Sequence, residues 1–168
     1  LGVDLEEIPE RAYAMAADLE DHRDNAAAAC FGGIVVATAD GVIQVPFHEE
    51  LRVLTWTPES ESSTAKSRSA LPTSVPFSVA SSSVAHVAAL IAALGTGNDE
   101  DLRLANGDEL HEPARFGRLP ESLAAFERFR TLGAPFVYLS GSGPTIAALG
   151  THDRLRRCRD EFGIPIHA

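Results

Sequence analysis

Two apolar runs, Pro135 to Leu139 and Ile146 to Leu149, flank Ser140, Gly141, Ser142, Gly143, Pro144 and Thr145. Glycine lets the backbone take positive φ or approach another group closely, while Pro144 locks φ and removes one donor. The stretch therefore reads as strand, turn, strand. A turn of this kind can offer N–H groups to a phosphate or pack beneath a loop that does, although a tight hairpin asks for the same residues. What separates these readings lies upstream.

The chain has 168 residues, 45% of them apolar, which is enough for one sizeable domain or two small ones. A formal charge of −10 disfavours nucleic acid and anionic membrane as partners, which leaves a small metabolite as the expected one. No stretch approaches the roughly 18 uninterrupted apolar residues of a membrane helix, and no signal peptide opens the chain, so a cytoplasmic protein is expected. Cys30 and Cys158 stand apart and read as reduced thiols. Residue 1 is Leu and the only methionine is Met15, so we expect the later part of a longer protein.

Taken in order, Ile8, Ala12, Met15, Ala16 and Leu19 fall at helical spacing behind an acidic start, and Pro9 suits a first turn. A polar run, Glu20 to Asn25, follows. It reads either as a solvated helix end with Asp24 or Asn25 capping a short helix from Ala26, or as a site where Glu20 holds a cation. Ile34 to Val45 predicts a hairpin with a type I′ turn at Asp40-Gly41, and Leu51 to Trp56 a further strand. A short helix is expected over 64–72, with Arg68 either on its surface or forking onto a carboxylate. Phe77 to Leu94 predicts the main buried helix, with Val84, Val87, Ala88, Ile91 and Leu94 as its stripe and His86 beside it. Helices are expected over 100–110, 121–132 and 152–162, with a break at 111–116 that puts Arg115 in a loop, and a last strand from Ile164. From Leu51 onward the order is βαββαβ, an α+β sandwich with helices on one face of an antiparallel sheet.

Five motifs in this order carry a family resemblance: Leu-Glu-Asp-His-Arg-Asp-Asn at 19–25 followed by Gly32-Gly33, Thr-Ala-Lys-Ser-Arg-Ser-Ala-Leu-Pro at 64–72, Leu-His-Glu-Pro-Ala-Arg at 110–115, and Leu-Ser-Gly-Ser-Gly-Pro-Thr at 139–145. Together they resemble the homoserine kinases of the GHMP kinase superfamily. The resemblance implies that residues 1–50 are the remainder of an N-terminal ribosomal S5-like domain and 51–168 a ferredoxin-like C-terminal domain. The glycine-rich phosphate loop of such kinases does not occur in this sequence.

The implied reaction is transfer of the γ-phosphoryl of MgATP to the hydroxyl of L-homoserine, on the route to threonine. The resemblance makes Glu20 the magnesium carboxylate and Asn25 the contact near the reacting end of homoserine. It pairs Arg68 and Arg115 with the substrate carboxylate and packs Gly141, Ser142, Gly143 and Thr145 against the phosphate loop. No side chain is assigned as a catalytic base. ATP and Mg2+ are the implied cofactors, and a homodimer is compatible. Asp21 stands where the family pattern has glycine, and Arg23 where it has proline. Two other readings stay open, a non-catalytic ligand-binding module and a GHMP kinase for another small alcohol.

Overall fold

A computed structural model describes residues 8–20, 23–59 and 71–167, except the side chains of Ile8 and Glu20. The chain divides into two compact units, Leu1–Phe47 and His48–Ala168. In the first, helix α1 (Ile8–Glu20) precedes α2 (Arg23–Phe31), joined by an edge-on contact between Tyr13 and Phe31 at 5.5 Å. α2 begins ahead of the expected start at Ala26, so neither Asp24 nor Asn25 is a cap. Its four alanines have the highest helix propensity, and Asp24 in the first turn complements the dipole. Arg23 donates from Nη1 to the Ala39 carbonyl at 2.5 Å and ties the start of α2 to the following hairpin.

Strands β1 (Ile34–Ala37) and β2 (Val42–Val45) pair antiparallel as expected, with Ala37 opposite Val42. Their turn differs from expectation. It has four residues, Thr38 to Gly41, and Gly41 does not take the positive φ that a type I′ turn requires. The Thr38 hydroxyl closes it by accepting from the Asp40 and Gly41 amides and donating to the Gly41 carbonyl. A side-chain oxygen thereby replaces the turn type that Asp-Gly alone would favour.

The second unit runs β3 (Leu51–Trp56), α3 (Phe77–Thr96), α4 (Asp99–Leu104), α5 (Glu112–Phe116), α6 (Pro120–Thr131), β4 (Phe136–Leu139), β5 (Ile146–Thr151), α7 (His152–Phe162) and β6 (Ile166–His167). The sheet order is β4-β5-β3-β6, antiparallel throughout, with Leu51 opposite Thr151 and Trp56 opposite Ile146. Strand period sets the core: Val137 and Leu139, Ile146 and Ala148, with Leu54, share one buried cluster with Ala125 and Phe129 of α6 and Leu155 and Cys158 of α7. Phe129 meets Phe162 edge-on at 4.5 Å, and burial pushes the Cys158 thiol up to about 11. α4 is shorter than expected, and its start is capped by Asn98, whose side chain accepts from the Glu100 amide at 2.9 Å.

Helix α3 overturns an expectation. Val84 and Val87 are 71% and 58% exposed, Ala88 and Ile91 are exposed too, and only Ala93 and Leu94 near the C-terminal end are buried. That end is gripped: the Leu94 carbonyl accepts from the His48 amide at 2.8 Å, and Gly97 ends the helix at φ 71°, where a Cβ would lie 2.5 Å from His48 Nδ1. By length and mean hydropathy, 1.8 over 18 residues, α3 is apolar enough to cross a membrane, and only 11% of that window is buried. Four serines and His86 interrupt it, and His86 packs over Gly107. The expected helix over 64–72 lies outside the described residues up to Ala70.

Candidate functional site

The β4–β5 turn is held from several directions. Inside it, Ser140 N–H donates to the Thr145 carbonyl and Gly143 N–H to the Ser140 carbonyl, both at 2.9 Å. From outside, Ser122 of α6 donates to the Pro144 carbonyl at 2.6 Å, and Thr57, just past β3, shares a 2.8 Å hydroxyl contact with Thr145. Gly143 has φ 79°, and a Cβ there would lie 2.8 Å from Leu119 Cδ1 and 3.0 Å from Leu139 Cδ1. The position accepts no side chain without displacing both leucines. The Gly143–Pro144 peptide bond is cis.

Over this turn lies α5, a single turn of helix where a break was expected, so Arg115 sits on a helix rather than in a loop. Its start is organised by Asp108, whose Oδ1 accepts from the His111 amide at 2.8 Å while Oδ2 lies 3.0 Å from His111 Nε2. Burial by itself would raise the Asp108 pKa, but the hydrogen bonds and charge of His111, with help from the Glu112 amide, bring it down to about 2. Pro113 suits the first turn, since its absent N–H would have had no partner there. One turn on, Arg115 Nη1 donates to the Gly141 carbonyl at 2.6 Å. Arg115 Nε is buried with no hydrogen-bond partner. A guanidinium anchored through one nitrogen and carrying another buried, unused donor is suited to receive an anion.

Glu112 was not singled out from the sequence, and it is the most buried charged group of this region, at 6% exposure. β4 is an edge strand, and its outward amides are met by side chains: Leu139 N–H by Glu112 Oε1 at 2.9 Å, and Val137 N–H by Asn106 Oδ1 at 3.1 Å. Asn106 also donates to the Pro135 carbonyl at 2.7 Å. The edge is thus covered without a further strand. Burial pushes the Glu112 carboxyl above its ordinary value, aided by the Asp108 charge and opposed by the Leu139 amide.

Of the residues singled out in the sequence, Arg115 meets Gly141 directly, and Ser142, Gly143 and Thr145 belong to the same turn. Asn25 is exposed on α2 in the first unit, and Glu20 is the last residue of α1 with its side chain outside the described residues. Arg68 lies outside them as well. Thr57, Asn106, Glu112 and Ser122 were missed. Only Glu112 lay in a quoted motif, and an acid at a helix start ordinarily reads as a response to the dipole. Among the described residues no group of three or more His, Cys, Asp or Glu side chains gathers as metal ligands.

Residues 89–165, which include α5, β4, the glycine turn and β5, match the family model described as GHMP kinases C terminal. That stretch is similar to the C-terminal part of the GHMP kinases. It is 40% identical over 142 residues to the homoserine kinase of Thermus thermophilus, covering 83% of this chain and 49% of that protein. To the homoserine kinase of Mycobacterium tuberculosis it is 36% identical over 157 residues, 89% of this chain and 49% of the relative. The chain therefore spans about half the length of the curated relatives it matches. Among solved structures, the homoserine kinase of Cytophaga hutchinsonii superposes with a TM-score of 0.86 at 23% identity, over 99% of this chain and 58% of that one. That superposition shows a shared fold.

Proposed function

We propose that this protein acts in homoserine phosphorylation, transferring the γ-phosphoryl group of ATP to the side-chain hydroxyl of L-homoserine to give O-phospho-L-homoserine, a step of threonine biosynthesis. The relatives named homoserine kinase support it, at 34–40% identity. The single observation that carries it is the bond from Arg115 Nη1 to the Gly141 carbonyl with Nε buried and unpartnered, because it joins two of the five motifs around a vacant charged donor. Arg115, with Arg68, takes the substrate carboxylate. Asn25 contacts the reacting end, and the turn from Gly141 to Thr145 packs against the protein's glycine-rich phosphate loop. Phosphoryl transfer asks a protein chiefly for positioning and charge neutralisation, and these residues supply the positioning half.

Mg2+ would neutralise phosphate charge, and Glu20 is the carboxylate assigned to it by resemblance. Residues 1–50 are read as the end of an N-terminal GHMP domain and 51–168 as the C-terminal one. The sheet order β4-β5-β3-β6 supports a ferredoxin-like sandwich for the latter. A cytoplasmic location with small-molecule partners completes the reading, and the formal charge of −10 speaks against nucleic acid and anionic membrane as partners.

The test is phosphorus NMR of the full-length protein, with its phosphate loop, in the presence of MgATP and L-homoserine, in which O-phosphohomoserine is expected to form only with all three present. Arg115→Ala is expected to raise the homoserine KM by about 10–100-fold, the worth of a lost charged hydrogen bond, while leaving the ATP KM unchanged. Unchanged homoserine kinetics would remove Arg115 from the site. ATP turnover indifferent to homoserine, but stimulated by another small alcohol, would favour a different acceptor.

A further inference from the structure

We propose that Glu112 is a positioning residue that sets Arg115 against the glycine turn through its hydrogen bond to the Leu139 amide. The inference rests on the substrate-binding role given to Arg115 above and deepens it. α5 has five residues, too few to hold its own shape, since an isolated turn fixes several dihedrals for each hydrogen bond it gains. Its place comes from what it touches: Asp108 holds its start, Phe116 sits in the core, and two of its side chains reach the β4 stretch. At the first residue Glu112 Oε1 takes the Leu139 N–H at 2.9 Å, and three residues later Arg115 Nη1 takes the Gly141 carbonyl at 2.6 Å. Leu139 and Gly141 are two residues apart on one continuous stretch, the end of β4 and the opening of its turn. The helix is thus stapled at two points to the segment it serves, one staple by an acceptor and the other by the guanidinium itself.

Asn106 makes the comparison that distinguishes positioning from edge covering. It covers the same strand edge at Val137 but lies outside α5, so its loss opens the edge without releasing the helix. Glu112 is 6% exposed and points its acceptor at a backbone donor that has no strand partner on that side. Taking that acceptor away leaves Asp108 to hold the start of α5 through the His111 and Glu112 amides, and leaves Arg115 as the only one of the two staples to the β4 stretch. A misplacement on the order of 1 Å then falls on the group that receives substrate.

The experiment compares Glu112→Ala, Glu112→Asp, Glu112→Gln and Asn106→Ala with the parent. Binding of L-homoserine is followed by calorimetry, and the Arg115 Nε–H signal by NMR with labelled arginine. The alanine and aspartate variants, one lacking the acceptor and the other a methylene too short to reach, are expected to weaken homoserine binding by about tenfold and to broaden or shift the Arg115 signal. Glutamine keeps an acceptor without charge and is expected to stay within about twofold of the parent, as is Asn106→Ala. Glu112→Asp retains the charge and most of the volume, which secures a folded variant if alanine yields none. Parent-like binding and an unmoved Arg115 signal in Glu112→Asp would overturn the proposal, as would an Asn106→Ala variant impaired to the same degree. If the parent itself does not bind homoserine, the function proposed above falls. The Arg115 signal across the variants then still decides whether Glu112 positions the guanidinium.

Discussion

The turn from Ser140 to Thr145 and the helix α3 invert what hydropathy would assign them. The turn is polar, yet all of it except Gly141 is at least half-buried, held by Ser122, Thr57 and Arg115. The helix is apolar, yet Phe77, Val84 and Val87 stand in the open at 88%, 71% and 58% exposure. A polar segment can be enclosed when each donor and acceptor finds a partner. An apolar one is enclosed only if another surface lies against it, and among the described residues α3 is fully buried only at its last turns, at Ala93 and Leu94.

The contrast can be broken or sharpened by substitution. The largest effect belongs to the core that anchors the turn: Phe129→Ala removes a fully buried ring stacked edge-on with Phe162 and is expected to cost about 3–5 kcal/mol in urea unfolding. A loss under 1 kcal/mol would mean that the α6–sheet core is not what carries the site. Next comes Asn106→Ala, which strands the Val137 amide and the Pro135 carbonyl and is expected to cost about 1–3 kcal/mol. Smallest is the double change Val84→Ser with Val87→Ser. It exchanges exposed apolar groups for polar ones and is expected to shift stability by no more than about 0.5 kcal/mol. A large loss there would show that this face of α3 is covered in solution.

Acid sharpens the comparison within the site itself, because its two carboxylates respond with opposite sign. Asp108 titrates at about 2 when folded against an ordinary 3.8. It therefore binds protons less readily in the native state, stabilises the fold above pH 3.8, and loses that contribution as pH falls through about 2. Glu112 has its folded value raised, so its contribution is present below its ordinary 4.5 and fades as pH rises through the folded value. Asp108→Asn is accordingly expected to flatten the loss of stability between pH 3.8 and about 2, measured by urea midpoints across that range. A variant with the parent's acid limb would show that the Asp108–His111 contact does not organise the start of α5.

Local pattern carried the element order well. The strand at Leu51 to Trp56, the paired strands around the glycine turn and the arginine-rich last helix were each readable, because period and punctuation act over a few residues. Order along the chain and the five motifs were enough to expect an α+β protein of the GHMP kinase type, and the match over residues 89–165 agrees. The β1–β2 turn escaped, since a threonine hydroxyl three residues upstream of Gly41 outweighed the Asp-Gly preference.

What sequence by itself determined, then, was which segments alternate, which coil and which residues cluster into motifs, all consequences of backbone sterics and side-chain spacing. Tertiary structure alone decided that α3 shows its valines to solvent, that Arg115 reaches Gly141 from a helix, and that an acid in an ordinary helix-start position seals the amide of Leu139. Burial and hydrogen-bond partnership are properties of pairs of groups brought together across dozens of residues, and no single stretch of chain contains both members of such a pair.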